Sequence, residues 1–143
     1  MFRGLIVAGA LALGVAGVVA QSDVIKARQD AMKAIGAANK PAVGMLKGVA
    51  PFNLATVQAS LKAFSDNANK SLTLYPAGSN QGETAALPSI WQNKADFDNK
   101  MKALAADAAT ALKAITDEAS FKANFPAVLK NCGGCHGEYR RKS

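Results

Sequence analysis

Residues 121–141 read FKANFPAVLKNCGGCHGEYRR, and the fold is decided here. Phe121, Phe125, Val128, Cys132, Cys135 and Tyr139 recur at steps of three and four, the period of one buried helical stripe. Within it, Cys132-Gly133-Gly134-Cys135-His136 is the attachment signature of a c-type haem. Two thiols three residues apart on a helix can reach both vinyl groups along one porphyrin edge, and the adjacent imidazole can turn under the ring to the iron. The motif uses every cysteine and the single histidine of the chain. A structural zinc site takes four protein ligands and finds three here. A thioredoxin-like redox pair needs a preceding strand and a βαβ context, and a plain disulfide leaves His136 without a role. The implied cofactor is one covalent haem c with its iron.

Three further stripes precede this one. Ile25, Arg28, Met32, Ile35, Asn39, Ala42, Leu46 and Val49 form a first seam, capped by Ser22 or Asp23 and stopped by Gly48 and Pro51. Pro41 falls inside it and should bend the helix. Asn53 can cap a second helix with stripe Leu54, Val57, Leu61, Phe64, Ala68 and Leu72. From Thr73 to Pro88, Tyr75-Pro76, Gly78-Ser79-Asn80 and Gly82 break the period, so this is a long surface connection. The third stripe is Phe97, Met101, Leu104, Ala108, Ala111 or Leu112, and Ile115; Thr116 or Asp117 opens the fourth helix. No strand pattern remains. Four comparable helices predict an all-α, antiparallel four-helix bundle of up-down-up-down topology.

The N-terminus bears on the compartment. Met1-Phe2-Arg3 is a short basic start, Gly4 to Ala20 is uncharged and apolar, and the sequence turns polar at Gln21-Ser22-Asp23. This reads as a secretory signal peptide, residues 1–20, cleaved after Ala20, rather than as a membrane anchor, for which the run is short and glycine-rich. The expected mature protein is a single domain, residues 21–143, without a membrane span, in the periplasm, where covalent haem attachment takes place. Its net charge falls from +7 for the whole chain to +6, because Arg3 is the only ionisable side chain lost. Two haem propionates would bring it to about +4. A basic surface favours an anionic partner, and for an exported haem protein that is an acidic redox protein of a periplasmic electron-transfer chain. Aromatic residues are too few and the lysines too scattered for a nucleic-acid stacking platform.

The chain resembles the class II cytochromes c, the cytochrome c′ family, over essentially its mature length. The likeness rests on the C-terminal position of the haem motif, on Cys135-His136-Gly137-Glu138-Tyr139-Arg140 matching the family's Cys-His-x-x-Tyr-Arg ending, and on Ile90-Trp91. Arg28-Gln29-Asp30-Ala31-Met32-Lys33 is similar to the first-helix motif of the low-spin members, which use methionine as sixth ligand. Spacing alone divides that role evenly between Met32 and Met101 and leaves Met45 in the core; the resemblance favours Met32, with His136 as the other axial ligand. It also implies a haem propionate for Arg28. Arg140 is a second propionate candidate, Trp91 and Tyr139 are candidate pocket walls, and Arg140-Arg141-Lys142 reads as a solvated helix end beside the haem. The function implied is low-spin electron transfer; the alternative is a five-coordinate cytochrome c′ that binds nitric oxide or carbon monoxide. An enzyme is not expected, since the one histidine is committed to iron. Family members occur as monomers and as homodimers.

Overall fold

The computed structural model describes residues 13–142, with side chains from Gln21 onward. It contains α1 (Leu13–Leu46), α2 (Leu54–Ser71), a one-turn α3 (Ser89–Gln92), α4 (Lys94–Ala114) and α5 (Glu118–Tyr139). The four long helices form the antiparallel bundle that the stripes demand. Asn53 is extended, and its side chain accepts from the Thr56 N–H at 2.9 Å to start α2. Asp117 accepts from the Ser120 N–H at 2.8 Å while Ser120 Oγ accepts from the Asp117 N–H at 3.0 Å, a reciprocal capping box opening α5. At the end of α1, Gly48 takes φ +71°, and the Val49 N–H reaches back to the Gly44 carbonyl at 2.9 Å.

Two boundaries differ from the sequence expectation. Ser22 and Asp23 do not cap α1, which runs through them from Leu13, because no proline interrupts the apolar segment ahead of them. The first twelve residues of the expected leader lie outside the described residues. The second difference is at the other end. Helix α5 stops at Tyr139 and Arg140 is extended, so Arg140-Arg141-Lys142 is solvated as expected but is not helical. Ala86 and Arg140 form an antiparallel bridge instead. The Leu87 N–H bonds the Tyr139 carbonyl at 3.0 Å, and the Arg141 N–H bonds that of Ala85 at 2.8 Å. Loop backbone thus satisfies groups that the helix end leaves unpaired.

Packing divides into two regions. The main core joins Ile35, Ala42 and Met45 of α1 to Val57, Leu61 and Phe64 of α2, Leu104 of α4, and Phe121, Phe125 and Val128 of α5. Phe64 meets Phe125 with ring centroids 6.1 Å apart, and Phe125 meets Phe121 at 5.0 Å. Toward the far end of the bundle a second cluster gathers Tyr75, Ile90, Phe97, Met101 and Tyr139. Helix α1 packs closely on α2, α2 on α4 and α4 on α5, whereas α1 and α5 lack this close approach. The gap between them holds the candidate functional site.

A haem cleft between α1 and α5

The cleft has a volume of ≈ 160 Å³ and opens to solvent. Met32, Ile90, Phe97, Met101, Ala85 and Ala86 give it an apolar wall, with Cys135 and His136 from α5. Cys132 faces a smaller adjoining cavity that Met32, Met101, Cys135 and His136 share. The motif residues therefore meet one concave surface, as the helical spacing requires. Both cysteines are free and half-buried. Burial raises the Cys132 thiol and pushes Cys135 up to about 11, so both are protonated at neutral pH, unlike reactive or metal-bound thiolates. Burial and then the neighbouring Arg140 guanidinium lower the His136 pKa, which favours the neutral imidazole that can ligate iron.

Arg28 lines the cleft but points much of its guanidinium into the 73–88 connection. Its Nη1 donates to the Ser79 carbonyl at 2.8 Å, and Nε and Nη2 donate to the Leu74 carbonyl and to Ser79 Oγ. The group lies 4.5 Å from the Tyr75 ring centroid and 5.1 Å from that of Trp91. Trp91 is not part of the cleft wall. It stands behind Arg28 and Tyr75 and donates from its indole to the Pro76 carbonyl at 2.9 Å. Tyr139 does line the cleft, and its hydroxyl donates to Asp96 Oδ2 at 2.5 Å. That carboxylate, then burial, raise the phenol pKa to about 12. Arg140 reaches the cleft rim, and Met45 lies away from it in the main core.

Sequence reasoning missed the loop's share of this site. Thr84, Ala85 and Ala86 close one side of the cleft, Ser79 is buried as the partner of Arg28, and Phe97 packs edge-on against Tyr139 at 5.4 Å. Phe97 was legible as part of a core stripe; the loop residues carry no periodic signal.

The cytochrome C′ family model matches residues 23–140. The chain belongs to this family. A cytochrome c′ of Rhodopseudomonas palustris is 49% identical over 137 residues, covering 95% of this chain and 94% of the relative. A cytochrome c-556 of Agrobacterium fabrum is 35% identical over 128 residues, covering 89% and 87%. The solved structure of a cytochrome c′ from R. palustris superposes with a TM-score of 0.82 at 49% identity, over 85% of this chain and 98% of that one. Covalent haem c with its iron is a defining feature of the family.

These findings overturn the low-spin, Met/His-ligated reading and the function as a low-spin carrier; a monohaem c-type electron carrier with covalent haem near the C-terminus is what they support. Cytochromes c′ are five-coordinate and typically high-spin, and half of this sequence coincides with such a protein. The physical reason lies in the weakness of the signal. A methionine at core spacing on an amphipathic helix is first of all a packing group, and Met32 packs against both hydrophobic clusters. Among the described residues, no helix is long and apolar enough to cross a membrane.

Proposed function

We propose that the α1–α5 cleft holds one haem c, joined to Cys132 and Cys135 and ligated by His136, whose other face stays open and takes up nitric oxide or carbon monoxide. The iron supplies an open coordination position and a one-electron couple. The observation that carries the reading is the character of the wall. It is built mainly from the aliphatic and aromatic groups of Met32, Ala85, Ala86, Ile90, Phe97 and Met101 around Cys135 and His136, with Gln29 and Thr84 tied to loop backbone and Arg140 at the edge. The nearest polar groups are held elsewhere, Arg28 by the loop and Tyr139 by Asp96. Such a wall admits a small neutral diatomic and offers no general acid or base for cleaving a peroxide bond. Arg140 and the remaining N–H groups of Arg28 are positioned to receive propionates at the rim.

Carbon monoxide titration of the reduced protein tests this. Uptake of one equivalent per haem is expected, with Met32→Ala and Met101→Ala changing the rate and not the stoichiometry. Failure of the wild-type protein to bind would overturn it.

Two further readings belong here. The electron partner is an acidic redox protein, supported by the net charge of +7 and by the cationic Arg140-Arg141-Lys142 segment at the cleft rim. Its electron-transfer rate should fall as added salt brings the Debye length below about 10 Å. The leader is removed after Ala20, supported by the change from apolar to polar at Gln21-Ser22-Asp23. The mass of the exported protein should correspond to a chain beginning at Gln21.

A further inference from the structure

We infer that the outer face of α1, carrying Lys26, Lys33, Lys40 and Lys47, is a docking surface for an anionic phospholipid bilayer. The four lysines are seven residues apart, so they drift only about 20° per step around the helix and line one side of it for roughly 30 Å. All four are exposed. Lys47 follows the last residue of α1, and its N–H still bonds the Val43 carbonyl at 3.0 Å.

Carboxylates are sparse along this face. Lys62, Lys94, Lys100 and Lys122 each pair with a carboxylate one turn away, while Lys70, Lys102, Lys113 and Lys130 are scattered over other helices without forming a row. Lys26 has such a partner in Asp30. Residues 31–65 contain no aspartate or glutamate; Lys33 shares Asp30 with Lys26, and Lys40 and Lys47 have no carboxylate within a helical turn in sequence. A second observation lies at the end of the row. The turn after α1 projects Val49 into solvent with 81% of its surface exposed, the only large hydrophobic side chain so exposed among the described residues. Gly48, at φ +71°, makes that turn. An apolar tip beside a line of exposed lysines matches a bilayer interface, where cations meet headgroups and a small apolar group enters the acyl boundary.

The extended line favours a membrane over an acidic protein, and like charge along it opposes self-association through this face.

Co-sedimentation of the haem-loaded protein with vesicles tests it. At low ionic strength, binding is expected to vesicles of equal parts phosphatidylglycerol and phosphatidylcholine, with none to pure phosphatidylcholine and release in high salt. Each lysine near such a surface contributes about 1 kcal/mol, so Lys33→Gln/Lys40→Gln/Lys47→Gln should weaken partitioning on the order of 100-fold. Lys102→Gln/Lys113→Gln/Lys130→Gln removes the same charge from α4 and α5 and should leave most of the binding. Unchanged haem spectra and helical circular dichroism show that both variants fold. Absent binding, equal binding to both vesicle types, or equal loss in the two variants would overturn the proposal. Retention by an acidic protein alone, or a dimer abolished by the α1 substitutions, would give the face to those partners instead.

Discussion

Single side chains do two jobs at this site, and the second was not legible in the sequence. Arg28 sits in phase with Met32, which placed it at the cleft, yet its donors go to Leu74 and Ser79 across 46 and 51 residues of chain. Arg28→Lys removes the planar fork and leaves buried carbonyls unpaired. It should cost about 3 kcal/mol in chemical denaturation and expose Trp91 to a fluorescence quencher. Tyr139 carries a pH dependence of defined sign. Its folded pKa of about 12 lies above the ordinary tyrosine value, which is about 10. Its contribution to stability is therefore complete below the unfolded value and is lost as pH rises through the folded one. Spectrophotometric titration should find Tyr139 ionising late, and Asp96→Asn should bring it down toward the ordinary range. Asp117 has the opposite sign. Hydrogen bonds from Ser120 lower its pKa, so the cap is at full strength above the ordinary carboxylate range and fades as pH falls through the folded value. Asp117→Ala should lower the melting temperature at neutral pH, with a smaller difference in acid.

At the scale of elements, the four helices followed from apolar period and caps because each buries one continuous stripe. Val57, Leu61 and Phe64 are fully buried where the spacing put them, as are Phe121 and Phe125. Phe125→Ala should cost about 3–5 kcal/mol. The 73–88 connection was legible only as a break in period. Its fold is fixed by contacts with α1 and α5 that local sequence does not encode. Gln21 and Gln29 donate to the Gln81 and Glu83 carbonyls, and the Arg141 guanidinium donates to the Thr84 carbonyl at 3.0 Å. Gly82 shows how close that contact is. It has φ +105°, and a Cβ there would lie 2.9 Å from Ile25 Cδ1. Gly82→Ala should destabilise by about 1–3 kcal/mol through backbone strain and the clash together. It should also loosen the Thr84–Ala86 side of the cleft, read as faster hydrogen exchange at Leu87 and Arg141.

For the whole molecule, the bundle and the haem were readable from residues whose chemistry admits few alternatives, whereas the coordination state was not. Two thiols and an imidazole at fixed spacing define an attachment site by themselves. A sixth ligand is a question of where the side chains of distant helices finally rest, and Met32 and Met101 both end on the cleft wall. Family membership answers it in favour of five-coordination. An iron held by His136 would then have its other face open. The spin state of the ferric protein, read by electron paramagnetic resonance and the visible spectrum at neutral pH, tests this most directly. A high-spin signal without a methionine-to-iron charge-transfer band, unchanged in form by Met32→Ala, is the expected result. A low-spin signal with that band, abolished by Met32→Ala, would contradict it.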